Sequence, residues 1–311
     1  MTDLILHHYP NSPFAEKTRL MLGAKGLAWR SVMIPPIMPK PDVVALTGGY
    51  RKTPFLQIGA DVYCDTALIA RVLDARQPAP TLYPASAPLA PALAHWADTT
   101  LFWVAVAWAM QPAGMAEIMK GFAADTLKAF AADRAAMTGG MKRLTLADAA
   151  VQIRTHLAML EAQRRQQAAA GPWLFGADRS IADFSVAHCL WFIRLAAPVA
   201  GLLAEYPEVS AWLDRVLAIG HGPSVQSMGS AEAVALAAAA TSHAPVAVQP
   251  GLGFEAGQPV QVYAIDYGSD PVVGNLVGLT PDEVVIRRSD VRAGEVQVHF
   301  PRIGFQIRKE G

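Results

Sequence analysis

A serine followed by a proline, Ser12-Pro13, stands between a short apolar strand and an amphipathic helix, in the run 9–22 that reads YPNSPFAEKTRLML. Proline is tolerated at the first position of a helix because its missing N–H would be unpaired there anyway. Ser12 therefore falls at the N-cap, where unpaired N–H groups and the helix dipole favour negative charge. Such a junction suits a site that holds an anion, although a serine can also cap a helix and do nothing more. Tyr9, three residues earlier, is a second hydroxyl within reach of the same place. An acid and a hydroxyl, Asp65-Thr66, open another helix, with the same two readings: a cap, or a cap that also receives a ligand carboxylate.

These residues need a frame. Residues 1 to about 78 alternate strand and helix: Leu4–Leu6, a helix from Pro13 to about Gly26, Trp29–Ile34, a short helix near Asp42–Leu46, a hairpin across Gly59-Ala60-Asp61, and a helix from Asp65 to Ala75. This order predicts an α/β unit with a four-stranded mixed sheet. The proline-rich QPAPTLYPASAP reads as a linker, and from 89 to 240 the pattern is helical only. Leu146, Ala150, Ile153, Leu157 and Leu160 mark one face of a long helix. Ser180 and Asp183 resemble a capping box for a helix apolar nearly all round, hence central. Residues 230–240 form a good helix by propensity, with little to bury. After a second linker, residues 251–311 alternate at Val260/Val262, Val296/Val298/Phe300 and Ile303/Phe305/Ile307, with glycines between. Four or five short strands there suggest a small all-β, barrel-like domain, marginal alone and expected to dock on the helical part.

The 311 residues are 52% hydrophobic, with 26 basic and 26 acidic side chains. That balance makes no electrostatic case for nucleic acid or an anionic membrane. The last 61 residues carry eight acids against six bases, which again weighs against nucleic acid. Two cysteines exclude a disulfide framework and fit a reducing compartment. The start, MTDLILHHYP, lacks a basic segment ahead of a long apolar core, so a cytoplasmic location is expected. The most apolar run, 101–110, is too short to span a bilayer.

With these pieces in place, residues 1 to about 225 resemble the glutathione transferase superfamily. SPFAEKTRLML is similar to the catalytic serine segment of serine-type members, tau- or omega-like, and RKTPFLQI to the segment carrying a cis-proline. YCDTALIARVLD is similar to the segment that binds the γ-glutamyl end, with Asp-Thr where most relatives have Glu-Ser. GADRSIADF and YPEVSAWLDRV resemble two helical-domain motifs. The resemblance implies a thioredoxin-like glutathione-binding domain at 1–78, an all-helical domain at 89–240, and a β-rich domain at 251–311 outside the usual architecture. It also implies a homodimer.

In that frame Ser12 is the catalytic hydroxyl, Tyr9 the alternative. Thr53, before cis Pro54, pairs through its backbone with the glutathione peptide. Asp65 and Thr66 take the γ-glutamyl amine and carboxylate; Lys40, Arg51 and Lys52 could reach the glycyl carboxylate, with Lys40 the candidate chosen, though basic loop residues are more often simply solvated. Phe14, Trp103, Trp108, Met110 and Met115 are candidates for an electrophile pocket, though aromatic and methionine side chains at helical spacing more often belong to a core. Glutathione is the expected co-substrate and a hydrophobic electrophile the second one, in a detoxification-type transfer. The histidines lack metal-ligand spacing, so no metal is expected. The alternative is a non-catalytic scaffold on the same fold that recruits proteins through the β-rich tail.

Overall fold

The computed structural model describes residues 3–223 and 225–310. Its first part runs β1 (Ile5–His8), α1 (Pro13–Ala24), β2 (Trp29–Met33), α2 (Pro41–Thr47), β3 (Phe55–Ile58), β4 (Asp61–Cys64) and α3 (Thr66–Arg76). β1 pairs parallel with β2, and β3 lies antiparallel between β1 and β4, the mixed sheet expected. The proline at N1 and Ser12 at the N-cap start α1 as their chemistry requires.

The helical part comprises α4 (Ala90–Trp96), a π-turn over Ala97–Leu101, α5 (Phe102–Ala109), α6 (Pro112–Ile118), α7 (Ala124–Met137), α8 (Leu146–Gln167), α9 (Ile181–Leu195), a 3₁₀ segment Ala197–Glu205, and α10 (Pro207–Leu217). Central α9 is buried along nearly its whole length. Its capping acid Asp183 accepts the Ser180 N–H at 2.8 Å, the Leu174 N–H at 2.9 Å and the Trp212 indole N–H at 2.9 Å. One carboxylate thus fastens the start of α9, the preceding loop and α10. Among the described residues no helix is long and apolar enough to cross a membrane.

Four expectations change here. The stretch 89–240 is not helical throughout, because β5 (Val225–Met228) pairs parallel with β2. Three of its four residues are exposed, so this short edge strand carries no apolar alternation to read. The following α11 (Ser230–Ala238) does have something to bury: Ala233, Val234 and Ala237 enter a core shared with the sheet. The β-rich tail, β6 (Pro259–Ala264), β7 (Val272–Leu279), β8 (Glu283–Asp290), β9 (Gly294–Pro301) and β10 (Phe305–Lys309), is a meander whose last strand returns beside its first. Ile303 is not in a strand but in the turn before β10, 70% exposed.

The fourth change concerns docking. The tail does not sit chiefly on the helical part. β9 pairs parallel with β4, joining both sheets into one of ten strands, β10-β6-β7-β8-β9-β4-β3-β1-β2-β5. An open β4 edge would be a template for wrong pairing, and β9 covers it. Val260, Val296, Val298 and Phe300 share a core with Ile5, Val43, Phe55 and Val62, which supplies the burial that so short a β unit lacks alone.

At this seam His299, 1% exposed, lies 3.1 Å from Asp61 Oδ1 of β4 and 3.1 Å from Glu283 Oε2 of β8. Burial opposes the imidazolium, but the hydrogen bonds to Asp61 and then Glu283 outweigh it, and the His299 pKa is raised. A raised folded-state pKa stabilises fully below the ordinary value of about 6.5, and the contribution fades as pH climbs through the folded value. His299→Gln should therefore melt furthest below the wild type near pH ~6 and approach it at alkaline pH. A gap that stays constant across this range would remove the charge from the seam.

Candidate functional site

One cavity opens where the three parts of the chain meet. Its walls include Thr53 and Pro54 before β3, Asp65 and Thr66 at the start of α3, Phe14 and Lys17 of α1, Asp98 of the π-turn, and Asp266, Tyr267 and Phe305 of the β-rich tail. The Thr53-Pro54 peptide bond is cis.

Asp65 caps α3 with φ 73° and accepts the Ala67 N–H at 2.8 Å. A non-glycine residue in the left-handed region costs about 1–3 kcal/mol, and such residues gather where a ligand is clamped. Burial pushes the Asp65 carboxyl pKa up, against the Ala67 N–H and then Lys52 and Lys17.

Thr66 is buried, and its hydroxyl oxygen accepts from Lys17 Nζ at 3.0 Å. With the oxygen so engaged, the hydroxyl proton is free to donate to a ligand. Lys17, 0% exposed, also donates to Asp98 Oδ2 at 2.6 Å. His188 Nε2 reaches Asp98 Oδ1 at 2.9 Å, and Ser185 donates to Oδ2 at 3.3 Å. Burial alone would raise the Asp98 pKa, but Lys17 and then His188 outweigh it and hold it low. Burial pushes the His188 pKa below its ordinary value despite Asp98, so His188 is neutral at pH 7 and donates its Nε2 proton. A buried ammonium–carboxylate pair thereby positions the Thr66 hydroxyl.

Ser12 lies on the other side of Thr53 and does not line the cavity. It is 2% exposed, accepts the Ala15 N–H at 3.2 Å, and donates to the Thr53 carbonyl over a long 3.4 Å. A bond of that length is weak, so its proton is available for redirection toward an anion. Burial pushes the Tyr9 phenol up, opposed by Arg134 and then Ser12, which leaves Tyr9 protonated and a donor as well. Lys40 is 3% exposed with Nζ 3.4 Å from the Arg51 carbonyl and 3.5 Å from Thr53 Oγ1. Burial, and then Arg134, pushes its pKa down to about 8, so it is still mostly charged at pH 7. Arg51 is held by Asp133 of α7 at 2.5 Å.

The five candidate electrophile residues do not come together. Phe14 lines the cavity, its ring tilted against Phe102 at 4.7 Å and His188 at 4.6 Å between centroids. Trp103 meets the cavity wall through Tyr267, edge-on at 5.0 Å. Trp108 is turned away and donates to the Val199 carbonyl at 3.1 Å, and Met110 packs in a separate cluster with Ile118 and Phe192. Met115 is 47% exposed on α6, because the break at Gln111-Pro112 starts a new helix. Burial pushes both cysteine thiols well above their ordinary pKa, which fits neither for nucleophilic work.

The sequence reading did not single out Lys17, Asp98 or Tyr267. Lys17 had a signal: it shares the inward face of α1 with Phe14 and Met21, three and four residues away, and a cation there needs a partner. Asp98 is the one charged residue of its turn, Ala97–Leu101. Tyr267 offers no local signal, since the fold brings it from a distant domain.

Comparison with known proteins accords with this architecture. The family model for the glutathione S-transferase N-terminal domain matches residues 6–81, and that for the C-terminal domain matches residues 143–215. A GST-like protein from Pseudomonas syringae is 46% identical in sequence, with both chains covered in full and a TM-score of 0.81. Glutathione transferase GSTFuA3 from Phanerochaete chrysosporium is 18% identical over 70% of this chain and 97% of its own, with a TM-score of 0.54. The beta-etherase LigF from Sphingobium sp. strain SYK-6 is 19% identical over 70% and 96%, with a TM-score of 0.52. The last two share the fold alone, whereas the Pseudomonas syringae protein matches the β-rich tail as well. No curated protein matches the chain.

Proposed function

Because the chain belongs to the glutathione S-transferase superfamily, we propose that it is a transferase whose cavity binds glutathione and favours its thiolate for attack on a hydrophobic electrophile. The observation that carries this reading is the strained cap at Asp65 beside a Thr66 hydroxyl whose proton is free, both on the cavity wall. The N-terminus of α3 and Thr66 receive the γ-glutamyl carboxylate, and Asp65 pairs with the amine. The Thr53 backbone holds the cysteinyl unit, which points its sulfur toward Ser12 at the N-terminus of α1. Lys40 takes the glycyl carboxylate. The thiolate then forms a C–S bond with the electrophile, and either a leaving group departs with its electron pair or the adduct takes a proton from water. Phe14, on the cavity wall, offers the apolar contact for that electrophile. Every group comes from one chain. The scaffold reading draws less support, because the tail contributes to the cavity wall.

Calorimetry with glutathione and cysteinylglycine tests the assignment. Asp65→Asn keeps a cap acceptor and a residue type that tolerates positive φ, but removes the charge. Losing a charged hydrogen bond of about 1.5–3 kcal/mol should weaken glutathione roughly 10- to 150-fold. Cysteinylglycine, which lacks the γ-glutamyl group, should bind both proteins alike. Equal losses for both ligands would dissociate Asp65 from the γ-glutamyl end.

A further inference from the structure

The loop between β6 and β7 reaches the cavity, and two of its side chains, Asp266 and Tyr267, line it together with the Asp65 cap. The loop is fixed from several sides. The Gly268 N–H donates to the Met137 carbonyl at 2.9 Å at the end of α7. Asp266 binds Lys52 Nζ at 2.5 Å, and the same ammonium lies 4.1 Å from the centroid of the Tyr267 ring. Trp103 of α5 holds that ring edge-on at 5.0 Å. Tyr267 is thus anchored through its ring, from both the helical part and the loop that carries Thr53. Among the described residues its hydroxyl has no hydrogen-bond partner. A phenol body packed by neighbours, with an uncommitted polar tip in a cavity, is a group placed to meet a ligand.

We infer that Tyr267 is a ligand-binding residue of the glutathione site, donating its hydroxyl to the peptide held between Thr53 and Asp65, so that the β-rich tail completes the site. This rests on the glutathione reading above. Asp266 has a second part in it: by neutralising Lys52 it keeps a free cation out of the wall, next to where Asp65 pairs with the γ-glutamyl amine. The tail is then a fixed wall rather than an appendage. Its join to the sheet through β9 and β4 places this loop over the cavity.

Tyr267→Phe tests this, because the ring contacts to Trp103 and Lys52 survive and only the hydroxyl goes. Calorimetry should show glutathione bound about five- to tenfold more weakly than by the wild type, with an unchanged thermal midpoint in the free protein. Asp266→Asn, which frees Lys52, should weaken glutathione too while leaving the Tyr267 ring in place. Wild-type protein that binds glutathione, with Tyr267→Phe binding it equally well, would overturn the inference and leave the glutathione reading standing. Wild-type protein that gives no heat with millimolar glutathione overturns both.

Discussion

Replacing Asp98 with alanine should lower the thermal midpoint by about 10 °C. The carboxylate is the partner of Lys17, whose side chain is 0% exposed and bonds to Asp98 at 2.6 Å. Removing one member of a buried pair leaves the other charged and desolvated, a loss of about 3–5 kcal/mol. For a chain of this size each kcal/mol moves the midpoint by about 2–4 °C. His188 and Ser185 lose their acceptor in the same step, which adds to the cost. The double variant Lys17→Met with Asp98→Ala should recover most of the loss, since an apolar replacement of a whole buried pair is often neutral. Comparing midpoints under one set of conditions suffices, because a chain in several parts has no single two-state free energy. If Asp98→Ala melts with the wild type, the pair does not hold the two parts together.

Ser12→Ala should raise the pKa of bound glutathione thiol by about one to two units. Free thiols near pKa ~8.5 are about 3% ionised at pH 7, and a shift of about 1.5 units brings roughly half into the thiolate. The gain in rate is smaller than that ratio, because nucleophilicity falls along with basicity. With the usual dependence, a roughly sixteenfold gain in thiolate shrinks to about threefold in rate. Turnover by Ser12→Ala should therefore drop about threefold near neutral pH, cross the wild type in mild alkali, and exceed it at higher pH, where both thiols are ionised and the more basic thiolate of the variant reacts faster. Affinity for glutathione should hardly change, since the proposed grip lies at Thr53, Asp65 and Thr66. A thiol pKa unmoved by Ser12→Ala would pass the role to Tyr9, whose protonated phenol is near Ser12.

The legible parts of the fold and site were the local ones. Ser12-Pro13 and Asp65-Thr66 declare themselves because N-cap chemistry is written in adjacent residues, and the Ser180–Asp183 box likewise spans only four residues. The ion pair under Thr66 was hidden, because Lys17 and Asp98 meet across 81 positions and only folding shows that this cation of α1 faces the acid of the π-turn. The apolar alternation in the tail identified strands, yet strand pattern does not name the edge they will join. That depended on β9, buried on both faces, meeting an uncovered β4. Five aromatic and methionine residues read as one possible pocket separated because Trp103 and Trp108, five residues apart, leave α5 on different faces, and the break before α6 carries Met115 away. Tyr267 was beyond any local reading for the same reason as the ion pair: its partners Lys52 and Trp103 belong to other parts of the molecule.

The most direct test of thiolate activation is an ultraviolet titration of the glutathione thiol on the wild-type protein, following thiolate absorbance against pH with glutathione in excess of protein and free glutathione as reference. The expected result is a bound thiol that ionises one to two units below the free one, at about pH 6.5–7.5. A bound thiol that titrates with the free one, or no bound thiol at millimolar glutathione, would contradict it.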